Sequence, residues 1–184
     1  MLFRSTDKSM LLIGGRPIIK GICERLSTCF EQILISADNK DKFGFLGYEV
    51  VPDKIPEQGP LMGIASALEA SSNELNFVVA CDIPRMEIRH VRRIISEAAN
   101  GEYDIVVPVA GDGQYEPLFA VYRKSALRAV NKVLASGGRK ISDVFALCNV
   151  KRIDLGAGMI NLNTTAEYEE FLKNTRIKLD DINV

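Results

Sequence analysis

Phe77-Val78-Val79-Ala80-Cys81-Asp82-Ile83-Pro84 is the stretch of sequence that decides the fold. Its first four residues are apolar without alternation, which is typical of a strand buried on both faces of a sheet. Asp82 follows this strand directly, and Pro84 stops the strand because proline has no backbone N–H to donate. The stretch therefore predicts an interior strand that ends on a carboxylate.

Short apolar runs of this kind alternate with helical stripes along the rest of the chain. The runs predict strands over residues 33–36, 48–51, 77–80, 105–107, 117–122 and 150–155. Apolar residues at helical spacing predict helices over 18–26, 61–68, 88–98, 127–133, 141–148 and 168–172, the first opened by the turn Gly14-Gly15-Arg16-Pro17 with Pro17 at its first position. This alternation predicts a three-layer α/β/α fold with a mostly parallel central sheet. We expect one domain over residues 1–174 and a tail over 175–184.

Composition excludes several classes of protein. The chain has 184 residues, 47% of them hydrophobic, and a net charge of −1, so it is neither disordered nor a basic nucleic-acid binder. A single histidine, His90, excludes multi-histidine zinc chemistry and argues against Ser-His-Asp catalysis. The four cysteines show no C-x-x-C spacing, no apolar run reaches the roughly 18–20 residues of a membrane helix, and the N-terminus is too polar for a secretory signal. We expect a cytoplasmic protein without a membrane span.

Polar residues after strands are the candidate ligands, because open α/β sheets bind ligands at the carboxyl ends of their strands. Asp82 suits a magnesium ion that bridges nucleotide phosphates, or else forms a turn or a helix cap. Asp53, after the strand at 48–51, suits the N–H donors of a guanine edge, or else is a solvated loop residue. Gly59, ahead of Pro60, lets a helix N-terminus approach a ligand, or else marks an ordinary helix entry.

Two further segments complete the candidate set. Lys8 suits the charge of a phosphate group during transfer, although an N-terminal lysine is commonly a solvated surface charge. Asn161 and Asn163 point to one side of an extended segment, where their amides suit a metal, a phosphate or a pterin. A turn followed by a helix cap is the alternative for this segment.

Seven segments occur in a specific order along the chain. They are Asp7-Lys8, Gly15-Arg16-Pro17, Pro52-Asp53, Gly59-Pro60-Leu61-Met62-Gly63-Ile64, Cys81-Asp82-Ile83-Pro84, Glu116-Pro117-Leu118-Phe119-Ala120 and Asn161-Leu162-Asn163-Thr164. Together they closely resemble the molybdenum cofactor guanylyltransferases, from the start of the chain to about Leu172.

The resemblance implies a Rossmann-like nucleotidyltransferase fold and a defined reaction. The enzyme would transfer GMP from GTP to the terminal phosphate of molybdopterin, with or without its molybdenum, releasing pyrophosphate and forming the guanine dinucleotide cofactor. The resemblance further implies the following roles: Lys8 on the GTP phosphates, Asp82 on Mg²⁺, Asp53 and Gly59 in the guanine pocket, Asp38 on the guanine side where the family usually has asparagine, and Asn161, Asn163 and Arg139 on the pterin side. A protein that delivers the labile pterin is an expected partner. No histidine is needed, because the attacking phosphate oxygen is already an anion.

The sequence departs from the family at its beginning. Family members start with an apolar strand and a glycine-rich loop of the form Leu-Ala-Gly-Gly, whereas only residues 1–6 precede Asp7-Lys8 here. Without that strand its neighbours would lack a partner, and backbone N–H groups for the triphosphate would be missing. A start upstream of Met1, a truncated chain and a degenerate family member all fit this departure.

Three functions therefore stay open. The first is an active guanylyltransferase, and the second is a nucleotide- or pterin-binding protein without catalysis. The third is a related cytidylyl- or sugar-phosphate nucleotidyltransferase. Residues 59–64 and 161–164 favour the first function over the third.

Overall fold

The computed structural model describes residues 8–83, 86–109, 113–156 and 168–170. Within these ranges the strands are β1 (Leu12–Ile13), β2 (Arg16–Pro17), β3 (Leu34–Ala37), β4 (Glu49–Pro52), β5 (Leu75–Val79), β6 (Ile105–Val109), β7 (Phe119–Arg123) and β8 (Val150–Asp154). The helices are α1 (Ile18–Leu26), α2 (Pro60–Ala70), α3 (Ile88–Ala99), α4 (Ala126–Ala135) and α5 (Ile141–Phe145), with 3₁₀ segments at Lys8–Met10 and Lys40–Leu46. None of these helices is long and apolar enough to cross a membrane.

The strands form a mixed but mostly parallel α/β arrangement, as the sequence predicts. The largest sheet has the order β5-β7-β6-β8. In it β7 runs antiparallel to β5 and β6, while β6 and β8 are parallel, so that β5, β6 and β8 share one direction. A separate parallel pair joins β3 to β4.

Helices cover both faces of the large sheet. On one face α1 and α3 pack on Val106 of β6 and Val121 of β7. On the other face α2, α4 and α5 pack on Ile105 and Tyr122. Alternate residues of β6 and β7 serve opposite cores, so the first four residues of each strand are buried, and the three-layer prediction is confirmed.

Local chemistry moves some boundaries away from the predicted ones. Gly14 and Gly15 adopt φ of +58° and +77°, so they close a two-residue hairpin between β1 and β2, and Pro17 precedes α1 instead of occupying its first position. β7 begins at Phe119, since the Phe119 N–H donates to the Glu116 carbonyl in a turn that contains Pro117. Residues 168–170 of the last predicted helix are helical, whereas the rest of that helix and the predicted tail lie outside the described residues.

A groove of about 1020 Å³ lies between β3 and β5. Its walls include Ile22 and Leu26 of α1 and Ile64 and Leu68 of α2, so it is apolar on both faces. Gln32, just before β3, accepts hydrogen bonds from Ser72 and Asn73, just before β5, so the two strands start at the same end of the groove. Among the described strands none pairs with the β5 edge that faces this groove.

The exposed edge of β5 carries a specific set of backbone groups. The Lys124 N–H donates to the Glu74 carbonyl and the Ala80 N–H donates to the Leu118 carbonyl, so even-numbered residues face β7. Residues of an antiparallel strand alternate between its two edges, which directs the N–H and C=O of Leu75, Phe77 and Val79 to the groove. All five β5 residues are only half-buried, whereas the first four residues of β6 are buried. The predicted burial of the strand at 77–80 is therefore wrong, because one edge of β5 borders the open groove.

Candidate nucleotide-binding site

Lys8 and Asp82 meet just beyond the carboxyl end of β5. The Lys8 Nζ lies 3.4 Å from Asp82 Oδ2, although the two residues are 74 positions apart in sequence. Asp82 is held there by the end of the strand, since Ala80 still pairs with Leu118 and the Ile83 N–H turns back to the Ala80 carbonyl. Their side chains retain 23% and 28% exposure, so the pair is accessible to a ligand. The fold thus brings together a cation and a carboxylate that the sequence predicts separately.

Asp82 suits a magnesium site that is completed by oxygen atoms of the substrate. Within the described ranges no cluster of three or more His, Cys, Asp or Glu side chains forms a metal cage. Magnesium is usually held by one or two carboxylates together with substrate phosphates and water. A single accessible carboxylate at a strand end is therefore sufficient only when phosphates supply further oxygens.

Asp53 occupies the corresponding position beyond β4. The parallel register pairs Ala37 with Pro52, and the Asp53 N–H donates to the Ala37 carbonyl at 3.3 Å. Ser36 Oγ donates to Asp53 Oδ1 at 2.9 Å across the two strand ends. The hydroxyl therefore holds one oxygen of the carboxylate and leaves the other lone pairs for ligand donors.

The surroundings of Asp53 oppose its ionisation. Desolvation by partial burial raises the pKa of Asp53, the Ser36 hydrogen bond lowers it, and the nearby Asp38 carboxylate raises it again. Asp38 is itself exposed on the segment after β3. The two carboxylates predicted for the guanine side are therefore neighbours, and Ser36 is the group that favours the charged form of Asp53.

Two glycines shape α2 here: Gly59 sets the entry of the helix, and Gly63 lets it approach these strand ends. Gly59 precedes α2 with φ of +74°, a backbone conformation that residues other than glycine rarely adopt. A Cβ on Gly63 would stand 2.7 Å from Ser36 Oγ and 3.6 Å from Asp53 Oδ1. The absence of a side chain at residue 63 is thus what allows the first turn of α2 to lie against the Ser36–Asp53 pair.

The groove lies between the two clusters and is lined by their neighbours in the chain. Ser36 and Asp38 line its mouth from the β3 side, while Ser9 and Cys81 line it from the β5 side. The Lys8–Asp82 pair and the Asp53 group therefore lie at the carboxyl ends of strands on opposite sides of the groove between β3 and β5. This is where the general rule for open α/β sheets expects a ligand.

The predicted pterin-side residues are not brought into this arrangement by the described contacts. Arg139 is exposed between α4 and α5, and it forms no hydrogen bond or ion pair with the Lys8–Asp82 or Ser36–Asp53 groups. Asn161 and Asn163 lie outside the described residues. The roles assigned to these three residues remain predictions.

Ser36 and Gly63 are site residues that the sequence reasoning missed. Ser36 precedes Asp38 by two positions, so period-two alternation places both on one side of an extended segment. Gly63 lies inside the quoted Gly59–Ile64 segment but resembles an ordinary helical glycine. The parallel register sets Ser36 beside the end of β4, and the packing of α2 brings Gly63 close to Ser36 and Asp53.

A family model and two relatives show the family to which this chain belongs. Residues 3–150 match the family described as MobA-like NTP transferase domain. A probable molybdenum cofactor guanylyltransferase from Carboxydothermus hydrogenoformans is 34% identical over 181 residues, covering 94% of this chain and 90% of the relative. A molybdenum cofactor guanylyltransferase from Vibrio parahaemolyticus is 32% identical over 170 residues, covering 90% and 86%.

Solved structures support the fold. Molybdopterin-guanine dinucleotide biosynthesis protein A from Archaeoglobus fulgidus superposes with a TM-score of 0.80 at 19% identity, covering 96% of this chain and 95% of that chain. The 2-C-methyl-D-erythritol 4-phosphate cytidylyltransferase from Thermus thermophilus superposes with a TM-score of 0.71 at 18% identity, covering 92% and 94%. At these identities the likeness concerns the architecture, which is that of nucleotidyltransferases.

Proposed function

Because this chain belongs to the MobA-like NTP transferase family and is a nucleotidyltransferase similar to the molybdenum cofactor guanylyltransferases, we propose that it transfers GMP from GTP to molybdopterin. The acceptor is the terminal phosphate of the pterin, with or without bound molybdenum. The products are the guanine dinucleotide cofactor and pyrophosphate. A protein that delivers the pterin completes the proposed set of partners.

The contact between Lys8 and Asp82 is the observation that carries this proposal. A lysine and an aspartate 3.4 Å apart, both accessible at a strand end, form a site with one positive and one negative group. The ammonium suits phosphate oxygens, and the carboxylate suits a hard cation bound to the same phosphates. A site of this kind needs neither a histidine nor a general base.

The proposed reaction is an in-line substitution at phosphorus. An anionic oxygen of the pterin phosphate forms a bond to the α-phosphorus of GTP, and the bond from that phosphorus to the oxygen bridging to the β-phosphate breaks. Pyrophosphate leaves with that electron pair, and no proton has to be removed from the nucleophile. Lys8 therefore acts by position and charge, aligning the phosphates and offsetting negative charge as it builds at the α-phosphorus.

Asp82 is the residue we assign to magnesium. When bound with the nucleotide, magnesium screens the repulsion between the two polyanionic substrates. The chain's own contribution is to hold the carboxylate at the end of β5, where Lys8 keeps it oriented before substrates arrive. Asp82 is thus proposed as a magnesium ligand and Lys8 as a phosphate ligand.

The base is assigned to the β4 side of the groove. Ionised Asp53 accepts hydrogen bonds, which matches the adjacent N–H donors of guanine. Asp38 lies beside Asp53, and Gly59, just ahead of α2, is proposed for the same pocket on the basis of the resemblance. Asn161, Asn163 and Arg139 are proposed for the acceptor side on the basis of the resemblance alone.

Pyrophosphate release tests the proposal. The purified chain is incubated with GTP, Mg²⁺ and molybdopterin, and pyrophosphate is measured together with binding of GTP by calorimetry. We expect release that requires all three components. Lys8→Ala and Asp82→Asn should abolish it, since they remove the two charges that contact the phosphates and the metal.

Matched variants make this test specific. Lys20→Ala on α1 and Asp143→Asn on α5 change the same residue types at exposed positions and should leave release unchanged. Mg²⁺-dependent GTP binding without release from a folded chain would support the binding protein instead. Equal binding of GTP and CTP would overturn the assignment of the base.

A further inference from the structure

Ser36 donates a hydrogen bond to the side chain of Asp53, which also has a side-chain hydrogen bond with Asp38. Its Oγ donates to Oδ1 at 2.9 Å, and the donor and the acceptor come from the ends of two parallel strands. Gly63 of α2 closes the opposite side, since its missing Cβ would stand 2.7 Å from the Ser36 hydroxyl. The exposed hydroxyl therefore lies between a strand end and a helix.

We propose that Ser36 is a specificity-determining positioning residue, whose hydroxyl keeps the Asp53 carboxylate an acceptor-only group so that the site selects guanine over adenine. This inference rests on the proposed function, because it takes Asp53 as the base-recognising group. Ser36 itself need not touch the nucleotide. It acts through the carboxylate that it holds.

The chemistry of the two purines gives this role its consequence. An ionised carboxylate accepts hydrogen bonds only, and guanine offers N–H donors from N1 and its amino group. Adenine presents an acceptor at N1 beside its amino donor, so an ionised carboxylate leaves that acceptor unpaired and repelled. A protonated carboxyl has one O–H donor and one acceptor oxygen, which is the complement of adenine. Selectivity therefore depends on keeping the proton off Asp53.

The charged groups around Asp53 show why its ionised form needs a hydrogen-bond donor. β3 contributes the Ser36 hydroxyl, and the segment after it contributes the Asp38 carboxylate. The negative charge of Asp38 disfavours a second negative charge on Asp53. α2 contributes Gly63, which carries no charge, and Glu69, whose carboxylate forms an ion pair with Lys54. Lys54 adjoins Asp53 in sequence, but its ammonium is directed to Glu69. Within this set, the hydrogen bond from the Ser36 hydroxyl lowers the pKa of Asp53, whereas the hydrogen bond with Asp38 raises it.

Removal of the hydroxyl is the direct test. In Ser36→Ala the pKa of Asp53 should rise further, because desolvation and Asp38 both remain while the opposing hydrogen bond is lost. GTP binding requires the ionised form, so it should weaken as pH falls, and the loss should begin at a higher pH than in the unmodified chain. At the acid end we expect the ratio of GTP to ATP affinity to fall about tenfold.

Three variants separate positioning from general damage. Ser36→Thr retains a hydroxyl and should restore the original pH profile. Asp53→Asn carries a donor and an acceptor at every pH, so it should show low guanine selectivity without pH dependence. Ser125→Ala removes a serine that donates to the Asp104 carboxylate at the amino end of β6, and it should leave nucleotide selectivity unchanged.

The outcomes distinguish this inference from the proposed function. Affinities for GTP and ATP are measured by calorimetry from pH 5 to pH 9, with circular dichroism to check folding. If the unmodified chain does not prefer GTP, the assignment of the base fails. If it prefers GTP, and Ser36→Ala keeps both its selectivity and its pH profile, the role of Ser36 is overturned.

Discussion

Gly63→Ala probes the same contact from the helix, through a change in shape instead of chemistry. The new Cβ would stand 2.7 Å from Ser36 Oγ, closer than carbon atoms of side chains approach such an oxygen. The serine must rotate away, which breaks its 2.9 Å hydrogen bond to Asp53. We therefore expect Gly63→Ala to lose guanine selectivity as Ser36→Ala does.

Two opposing effects set the stability of this variant. Alanine in a helix interior is about 0.5–1 kcal/mol more favourable than glycine. Loss of an exposed hydrogen bond to a charged group costs about 1 kcal/mol, below the range for buried ones. The free energy of unfolding should then change by less than about 0.5 kcal/mol. Selectivity and stability are predicted to separate.

Gly21→Ala supplies the matched control. Gly21 lies within α1, and a Cβ there meets no atom within 4 Å. It should gain the full helix preference of about 0.5–1 kcal/mol and leave nucleotide binding unchanged. Urea unfolding gives the free energies, and competition between GTP and ATP gives the selectivity. If Gly63→Ala is as stabilising as Gly21→Ala and still selects guanine, the close contact with Ser36 does not constrain Asp53.

Three other predictions concern the metal, the open edge of β5 and the support of the sheet. Asp82→Asn should remove the gain in GTP affinity that Mg²⁺ gives, while Asp143→Asn keeps it; an undiminished magnesium effect in calorimetry would place the ligand elsewhere. Amide hydrogen exchange followed by NMR should be faster at Leu75, Phe77 and Val79 than at Asn76 and Val78, because the first three face the groove; equal protection would show that this edge is paired in solution. Arg123→Ala should lower the free energy of unfolding in urea by about 2–3 kcal/mol, because the carbonyls of Ala98, Gly101 and Tyr103 lose their hydrogen-bond donor. Arg123→Lys should restore only part of this stability. A loss under about 0.5 kcal/mol would show that water replaces the guanidinium.

The alternation of strands and helices could be predicted because the central strands β6 and β7 are short and mostly apolar. Val106 and Val107 serve opposite faces of the sheet, and such two-sided burial leaves no polar position in the pattern. The antiparallel direction of β7 had no such signal, because an apolar strand looks the same in either direction. The hairpin at Gly14-Gly15 was hidden for another reason, since its two strands have only two residues each.

The candidate site was predictable one residue at a time and not as an arrangement. Lys8 and Asp82 were each identified from sequence, but their contact depends on how the chain before α1 reaches the end of β5. Ser36 was missed because its importance arises from the register between β3 and β4. The sequence carries the chemistry of single side chains, whereas the pairing of strands decides which of them meet.

Transfer of a labelled phosphorus tests the central claim most directly. GTP labelled at the α-phosphorus is incubated with the chain, Mg²⁺ and molybdopterin, and the products are separated by chromatography. The proposed reaction predicts that the label appears in a guanine dinucleotide of the pterin, while label from γ-phosphorus appears in pyrophosphate. If a folded chain that binds GTP leaves the α-label in GTP, or releases it as free GMP, the chain does not catalyse the transfer proposed for it.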